Sequence, residues 1–139
     1  MNNLIPPEEI SRFLKAEPEA LGNCWTWKLF DSSTENFLFL SIYYEIEHKD
    51  KTGNLVSVQT KFGYFELHNF NRIVLFEPNE ISFVQFNDKK INCLVVGKNC
   101  TCSLYSNIDR ELVRSNMTEI DPAFLLSSLQ LALLEEVIS

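Results

Sequence analysis

The sequence predicts an α+β domain with a short N-terminal helix, an antiparallel meander of about seven strands and a leucine-rich C-terminal helix packed on the sheet. Two long apolar-rich segments, 37–48 and 55–70, are separated by the polar residues 49–54. Short apolar runs with turn residues between them follow up to residue 105, and Asp121-Pro122 precedes a leucine-rich end. A sheet of this length has to twist, and we expect it to be able to curl into a half-barrel.

The stretch 37–70 is interpreted as the central hairpin of the sheet. Even positions from Leu38 to Ile46 are apolar, whereas odd positions become acidic towards residue 47. Such alternation is typical of a strand with one buried face. The pattern inverts beside Gly63, which predicts a β-bulge there. The apolar faces meet when opposed residues have an even index sum, for example Ile46 opposite Val56 or Val58, because a slip of one residue exposes the whole apolar set.

A short helix is predicted ahead of this hairpin. Residues 6–9 read Pro-Pro-Glu-Glu, with prolines before the first turn and acids at the positive end of the helix dipole. Ile10, Phe13 and Leu14 form its apolar stripe, and Pro18 ends it. The first strand is expected at residues 25–30, where Trp25 and Trp27 share one face. Large aromatic side chains at such positions favour a core wall over a stacking platform.

Four further strands are predicted at 72–76, 81–86, 91–96 and 101–105. Gly97-Lys98 fits a two-residue hairpin turn, which sets Cys93 opposite Cys102 with Cys100 on the same face. We interpret these cysteines as buried structural thiols, since no histidine is near in sequence to complete a metal site. Residues 107–120 are compatible with strand or helix, and their alternation favours strand.

The C-terminal helix is predicted from Pro122 to about residue 138, because Asp is a favoured N-cap and Pro suits the first helical position. It carries two apolar stripes, which is more than one packing face requires. Either the helix lies within a curled sheet, or the second stripe is an interface for a partner or a second copy. The predicted interface residues are Phe124, Leu131, Leu134, Ile138 and Glu135. Glu135 lies at the negative end of the helix dipole, which suits a cationic neighbour.

Length and charge restrict the class of protein. With 139 residues, the chain 1–139 is expected to be a single domain. It has no apolar run long enough to cross a membrane, and its start does not resemble a secretory signal, so we expect a cytoplasmic location. The net charge of −7 works against nucleic-acid binding. We therefore expect a protein partner or a homodimer formed through the C-terminal helix, with no nucleic acid and no membrane.

Candidates for chemistry are few, and no catalytic, metal-binding or cofactor-binding residue is assigned. His48 and His68 each follow acidic residues, the beginning of a general acid–base pair. No nucleophile elbow, metalloprotease motif or phosphate-binding loop adds a second element. Both histidines are better explained as solvent-exposed residues at strand ends, so we expect a non-enzymatic protein. An enzyme that uses His48 or His68 is the third hypothesis.

The leading hypothesis is a small acidic protein-interaction or regulatory module, such as an adaptor, an inhibitor or an immunity-like protein. The alternative is a small hydrophobic-ligand-binding domain with an aromatic-lined pocket between the curled sheet and a helix. The pocket residues predicted for this alternative are Trp25, Trp27, Phe39, Tyr44, Phe62 and Tyr64. The interaction hypothesis requires an exposed apolar surface, and the ligand hypothesis requires an enclosed cavity.

Overall fold

The computed structural model describes residues 4–48, 50–111, 131 and 133–138. Within these ranges one helix is followed by nine strands, and residues 131 and 133–138 are again helical. Strand pairing is antiparallel throughout. The elements are α1 (Pro7–Leu14), β1 (Glu19–Leu21), β2 (Cys24–Asp31), β3 (Asn36–His48), β4 (Lys51–Thr60), β5 (Gly63–His68), β6 (Arg72–Phe76), β7 (Glu80–Phe86), β8 (Lys90–Gly97) and β9 (Thr101–Asp109).

The strands form two sheets. Sheet A has the order β1-β2-β3-β4-β5, and sheet B has the order β6-β7-β8-β9. The α+β class is therefore supported, but the single meander of about seven strands is not found, since the part of the chain described here has nine strands in two sheets. Both sheets are simple up-and-down meanders in which neighbouring strands follow each other along the chain.

The main core lies between the inner faces of the two sheets. It contains Leu38, Leu40 and Ile42 of β3, together with Trp27 of β2 and Phe83 and Leu94 of sheet B. Helix α1 closes this core at one margin, where Trp27 Nε1 donates to Ser11 Oγ at 3.0 Å. On the sheet B side, Lys98 Nζ lies 4.1 Å from the centroid of the Phe13 ring. Ile10, Phe13 and Leu14 are all buried, which confirms the predicted helix stripe.

A second buried cluster covers the other face of sheet B. Leu131, Leu134 and Ile138 pack there against apolar residues of β6, β7 and β8. Strands β6, β7 and β8 of sheet B are thus buried on both faces, and β6 and β8 contain continuous apolar runs for that reason. The described part of the C-terminal helix packs on the sheet, as predicted. Residues 122–130 of the predicted helix, and 112–120 of the ambiguous segment, lie outside the described residues.

The alternating apolar pattern inverts beside Gly63 because of a turn, and the predicted bulge is wrong. Thr60 is paired with Gly63, so the chain reverses direction at Lys61 and Phe62 and a new strand begins. The Thr60 hydroxyl oxygen accepts hydrogen bonds from the backbone N–H groups of Phe62 and Gly63, at 3.1 and 3.2 Å. A two-residue turn moves the buried apolar residues from even to odd positions, just as one extra residue in a bulge would. The hydroxyl of Thr60 stabilises this turn.

The register of the β3–β4 hairpin follows the even index sum over most of its length, as in Ile42 opposite Val56. The specific pairing of Ile46 with Val56 or Val58 is wrong. A register shift lies between Tyr43 and Ile46, and Ile46 is paired with Gly53. The Glu45 backbone has a φ of 52° there, and its N–H donates to Asn54 Oδ1 at 2.9 Å.

The β8–β9 turn contains three residues instead of the predicted two. Gly97 is paired with Thr101, and Cys100 adopts the left-handed region at φ 67°. Cys93 consequently faces Tyr105, and Cys102 faces Val96. Cys93 belongs to the second cluster, whereas Cys100 and Cys102 lie at the main core, so the predicted thiol cluster is wrong. All four cysteines are unpaired.

Among the described residues, no helix is long and apolar enough to cross a membrane.

The strand prediction for 107–120 holds for its first three residues, because β9 ends at Asp109 and residues 110 and 111 are helical.

Candidate interaction surfaces

Sheet A has one face that no described element covers. Its inner face is in the main core, and the alternate residues of β2 to β5 lie on the opposite side. We call this surface the aromatic face. It consists of Cys24, Thr26, Lys28, Phe30, Phe37, Phe39, Ser41, Tyr43, Leu55, Ser57, Gln59, Tyr64, Glu66 and His68.

Aromatic side chains on this face are partly exposed. Phe30 is 67% exposed, Tyr64 54% and Phe39 39%. The rings of Phe37 and Phe39 lie 5.1 Å apart at 44°, so they form one continuous apolar ridge. A row of small side chains crosses the sheet next to this ridge, where Thr26 and Ser41 share a hydrogen bond of 2.9 Å between their hydroxyl oxygens. Exposed aromatic area of this kind is typical of an interaction surface.

The charged groups of the aromatic face are paired with one another or with its rim. Lys28 Nζ lies 3.0 Å from Glu19 Oε1 of β1. The Tyr64 hydroxyl donates to Glu66 Oε2 at 2.7 Å, and His68 Nε2 lies 3.3 Å from Glu66 Oε1. The Tyr64 hydrogen bond, followed by that of His68, lowers the pKa of Glu66, and the same bond raises the pKa of Tyr64. The face therefore presents one ion pair and one carboxylate that is hydrogen-bonded to its neighbours.

A second surface lies where the N-terminal segment crosses β2 and β3. The rings of Trp25 and Tyr44 are in edge contact, with centroids 5.5 Å apart at 80°. The Tyr44 hydroxyl donates to the backbone oxygen of Ile5 at 3.2 Å. Residues 4–7 together with Trp25 and Tyr44 line an open cleft of about 260 Å³. We call this the Trp25–Tyr44 groove.

The structure does not bring the six predicted pocket residues together. Trp27 is fully buried in the core, and Trp25 and Tyr44 meet in the groove. Phe39 and Tyr64 lie on the aromatic face, across sheet A from Trp27. Phe62 is in the β4–β5 turn and 78% exposed. No enclosed aromatic cavity is formed by this set, because a sheet separates its members.

The predicted interface residues of the C-terminal helix are buried within the chain itself. Leu134 is fully buried and Leu131 is 6% exposed, so this stripe belongs to the core. The exposed apolar positions of the described helix are instead Leu133 and Val137, which belong to the other stripe. Phe124 lies outside the described residues.

Glu135 has a cationic neighbour, as its position in the helix dipole favours, and this neighbour is Arg110 of the same chain. Its carboxylate accepts from Arg110 Nε at 2.7 Å and from Nη2 at 2.5 Å. The pair is buried, and the carboxylate raises the pKa of Arg110. Glu135 is therefore bound within the fold.

The histidine and cysteine side chains do not form a catalytic arrangement among the described residues. His68 is exposed on the aromatic face, and nothing is described for the side chain of His48 at the end of β3. Burial raises the pKa values of Cys93 and Cys102 to about 12, which leaves both thiols unreactive at neutral pH. Within the described ranges, no group of three or more His, Cys, Asp and Glu side chains is arranged to hold a metal ion.

The sequence interpretation missed Phe30, Phe37 and Tyr43 as members of a surface. The available signal was the odd phase of β3, which begins with two phenylalanines on the face that later becomes acidic. A half-buried strand should carry polar residues there, so aromatic residues in that phase indicate contact with something else.

Comparisons with protein-family models, with curated proteins and with solved structures found no match for this chain.

Proposed function

We propose that this protein is a non-enzymatic protein-interaction module that docks through the aromatic face of sheet A. The observation that carries the proposal is the set of exposed rings of Phe30, Phe39 and Tyr64 on one face of one sheet. Aromatic residues are enriched at the centre of protein interfaces, where they bury large area at low entropic cost. A sheet face that no described element covers, and that carries several such rings, favours docking over solvation alone.

Charge favours a second copy of this chain as the occupant. The chain carries a net charge of −7, so most of its surface repels another copy. The aromatic face carries fewer charges, because Lys28 is paired with Glu19, and because Glu66, which is hydrogen-bonded to Tyr64 and His68, is the one carboxylate among its residues. Two such faces bring few like charges together, and a twofold arrangement uses the same residues on each side.

The shape of the face suits sheet-on-sheet packing. The ridge of Phe37 and Phe39 lies beside the row of small side chains that includes Thr26 and Ser41. In a twofold pair, the ridge of one copy packs over the small row of the other, as residues interdigitate between two sheets about 10 Å apart. Hydroxyl groups at the bottom of that row keep their own hydrogen bond and need no partner from the second copy.

The test is the solution mass of the purified protein across a dilution series. We expect a dimer that dissociates on dilution, and we expect Phe39→Glu to be a folded monomer because it places a charged side chain where two apolar faces would meet. Phe62→Glu is the matched control. Phe62 is more exposed than Phe39 but lies in the β4–β5 turn, so its replacement should leave the dimer unchanged.

A wild-type protein that is monomeric at every concentration reached would contradict a second copy as the occupant. Dimers that persist in Phe39→Glu but are lost in Leu133→Glu would move the interface to the exposed stripe of the C-terminal helix.

We further propose a cytoplasmic location for the module, supported by four unpaired cysteines, which suit a reducing compartment.

A small hydrophobic ligand is the second candidate. Its support is that Trp25 and Tyr44, two of the predicted pocket residues, line a common cleft. At about 260 Å³ and open to solvent, this cleft is below the roughly 300–1,000 Å³ of most small-molecule sites. An apolar fluorescent dye whose binding is abolished in Trp25→Ala, but not in Phe39→Glu, would favour this candidate over the first.

A further inference from the structure

Three polar side chains of β5 form a hydrogen-bonded row along one side of the aromatic face. The Tyr64 hydroxyl donates to Glu66 Oε2 at 2.7 Å, and Glu66 Oε1 lies 3.3 Å from His68 Nε2. The three residues are spaced by two along one strand, so their side chains lie on the same side of sheet A. Glu66 is the one carboxylate among the residues of the aromatic face.

This carboxylate is in contact with water in a single copy and would lose that water in the proposed dimer. The Glu66 side chain is 39% exposed. Glu66 is paired with Ser57, in the same row of the sheet as Ser41 and Thr26. A second sheet packed on this row removes water from two carboxylates, one from each copy. Taking a carboxylate out of water costs free energy unless a counter-charge and hydrogen-bond donors replace the water.

His68 is placed to supply that counter-charge. Imidazole is the side chain whose charge ordinarily changes between pH 5 and 8. Its protonated form makes a charge-assisted hydrogen bond to a carboxylate, which is stronger than the bond made by the neutral ring. The hydrogen bonds from Tyr64 and then from His68 lower the pKa of Glu66, so the carboxylate stays ionised over this pH range.

The charged neighbours of His68 on β3 and β4 carry opposite signs. Glu47 and Lys51 line a cleft of about 330 Å³ together with His68. On the side of sheet B, the Gln85 amide donates to the backbone oxygen of His68 at 3.2 Å and carries no charge. Within the part of the chain that the structure describes, Glu66 is the carboxylate that contacts the His68 ring.

The remaining titratable neighbour of Glu66 is a phenol that stays neutral. Burial, followed by the neighbouring Cys24, raises the pKa of Tyr43, and Tyr64 and Glu66 add to this shift. Tyr43 therefore supplies no counter-charge to Glu66 between pH 5 and 8. Lys28 of the same face is already paired with Glu19, at 3.0 Å.

We propose that dimer formation through the aromatic face is linked to protonation of His68, so that acidification favours the dimer. The inference rests on the dimer proposed above. Protonation converts the contact between Glu66 and His68 in each copy into an ion pair, and each carboxylate then enters the interface with its counter-charge. Because the dimer binds more protons than two separate copies do, its association constant rises as the pH falls.

A general effect of charge acts in the same direction and has to be separated from this pair. The chain has a net charge of −7 with its histidines neutral, so protonation of either histidine reduces the repulsion between copies. His48 is the other of the two histidines in the sequence. His48→Gln removes the same titrating charge from the chain as His68→Gln does, but it leaves the contact with Glu66 unchanged.

The test is the dissociation constant of the dimer, measured by sedimentation at about pH 8 and about pH 5.5 at constant ionic strength. We expect the wild type to have a dissociation constant about tenfold lower at the acidic pH, since each copy contributes one ion pair. His68→Gln keeps a neutral donor beside Glu66 and should reduce the difference to less than about twofold. His48→Gln should keep most of the tenfold difference.

Glu66→Gln examines the other member of the pair. Its dimer at about pH 8 should be at least as tight as that of the wild type, because no carboxylate is then taken out of water. Acidification should not tighten this dimer, because the imidazolium of His68 has lost its counter-charge. A Glu66→Gln dimer that keeps the full tenfold difference would overturn the proposal.

The outcomes separate this inference from the proposed interface. A wild-type dimer that Phe39→Glu disrupts, but whose dissociation constant is the same at both pH values, would overturn the inference and leave the interface standing. A pH response that His48→Gln abolishes and His68→Gln retains would also overturn it. A wild-type protein that is monomeric at both pH values would overturn the interface and the inference together.

Discussion

Arg110 and Glu135 form a buried bidentate ion pair that connects the end of sheet B to the C-terminal helix. Two nitrogens of the guanidinium donate to the two carboxylate oxygens, and Arg110 Nη1 also donates to the backbone oxygen of Asn87 at 2.6 Å. The guanidinium carbon lies 5.5 Å from the centroid of the Phe86 ring. With both side chains below one-tenth exposure, the pair is positioned to fix the helix on the sheet.

Removing one member of this pair should destabilise the protein. Glu135→Gln leaves the Arg110 charge buried without its counter-charge, and such losses are roughly 3–5 kcal/mol. The free energy of unfolding in urea, measured at neutral pH, gives the cost. Glu136→Gln is the matched control on the neighbouring, exposed position and should change stability by less than about 0.5 kcal/mol.

The double variant Arg110→Met/Glu135→Leu tests whether the loss is that of a broken pair. Replacing both partners with apolar residues removes the uncompensated charge, so most of the stability should return. A double variant as unstable as Glu135→Gln would mean that these positions need their hydrogen bonds and not merely charge balance.

The stripe of Leu131, Leu134 and Ile138 should behave as core. Leu134→Ala removes a fully buried side chain and should cost roughly 2–5 kcal/mol of unfolding free energy. Leu133→Ala, at a position 52% exposed, should cost well under half as much. Equal effects, or a Leu134→Ala protein that is stable but has lost an assembly, would assign the buried stripe to an interface.

The pKa of Glu66 should depend on Tyr64. Because the Tyr64 hydrogen bond is the largest cause that lowers this pKa, Tyr64→Phe should raise it towards the ordinary value. The stabilisation from a lowered carboxyl pKa is present above the unfolded value and is lost as the pH falls through the folded one. Because Glu66 is exposed, a carboxyl carbon titration is the suitable measurement. Tyr44→Phe is the control, and an unchanged Glu66 pKa in Tyr64→Phe would refute the link.

The Cys93 thiol should be protected from alkylation in the native protein. Burial raises its pKa from 9.0 to about 12. Between these two pH values, the native state holds a neutral thiol whereas the unfolded state holds a thiolate. Stability from this group is therefore intact below pH 9 and should fall as the pH rises from there towards 12. Alkylation with peptide mapping measures the protection of the thiol. The pH dependence of the unfolding free energy, compared between the wild type and Cys93→Ala, measures the effect on stability. Rapid native labelling of Cys93 would contradict the assignment.

Strands β2 and β3 of sheet A could be predicted because local chemistry and tertiary packing agree there. One face is covered and the other is not, so alternation from Leu38 to Ile42 marks the buried side. The β4–β5 turn at Lys61 and Phe62 was missed, since a bulge and a two-residue turn both invert the phase. The turn after Gly97 was misassigned by one residue, which was enough to separate Cys93 from Cys102.

The candidate surfaces could be predicted only in part. Trp25 and Tyr44 were selected for their aromatic character, and the fold brings them together. Phe39 was selected on the same grounds but lies on the opposite side of sheet A from Trp27. Residue type states what a side chain is able to contact, whereas strand phase and turn length decide which neighbours it meets.

The sequence by itself determined the stripe of α1, the alternation along β2 and β3, and the apolar character of the final helix. Only the tertiary structure decided that the strands divide into two sheets, that the stripe of Leu134 is core, and that Arg110 binds Glu135. The physical reason is that periodicity records how many faces of an element are buried. It does not record what buries them, because that depends on contacts between residues far apart in the chain.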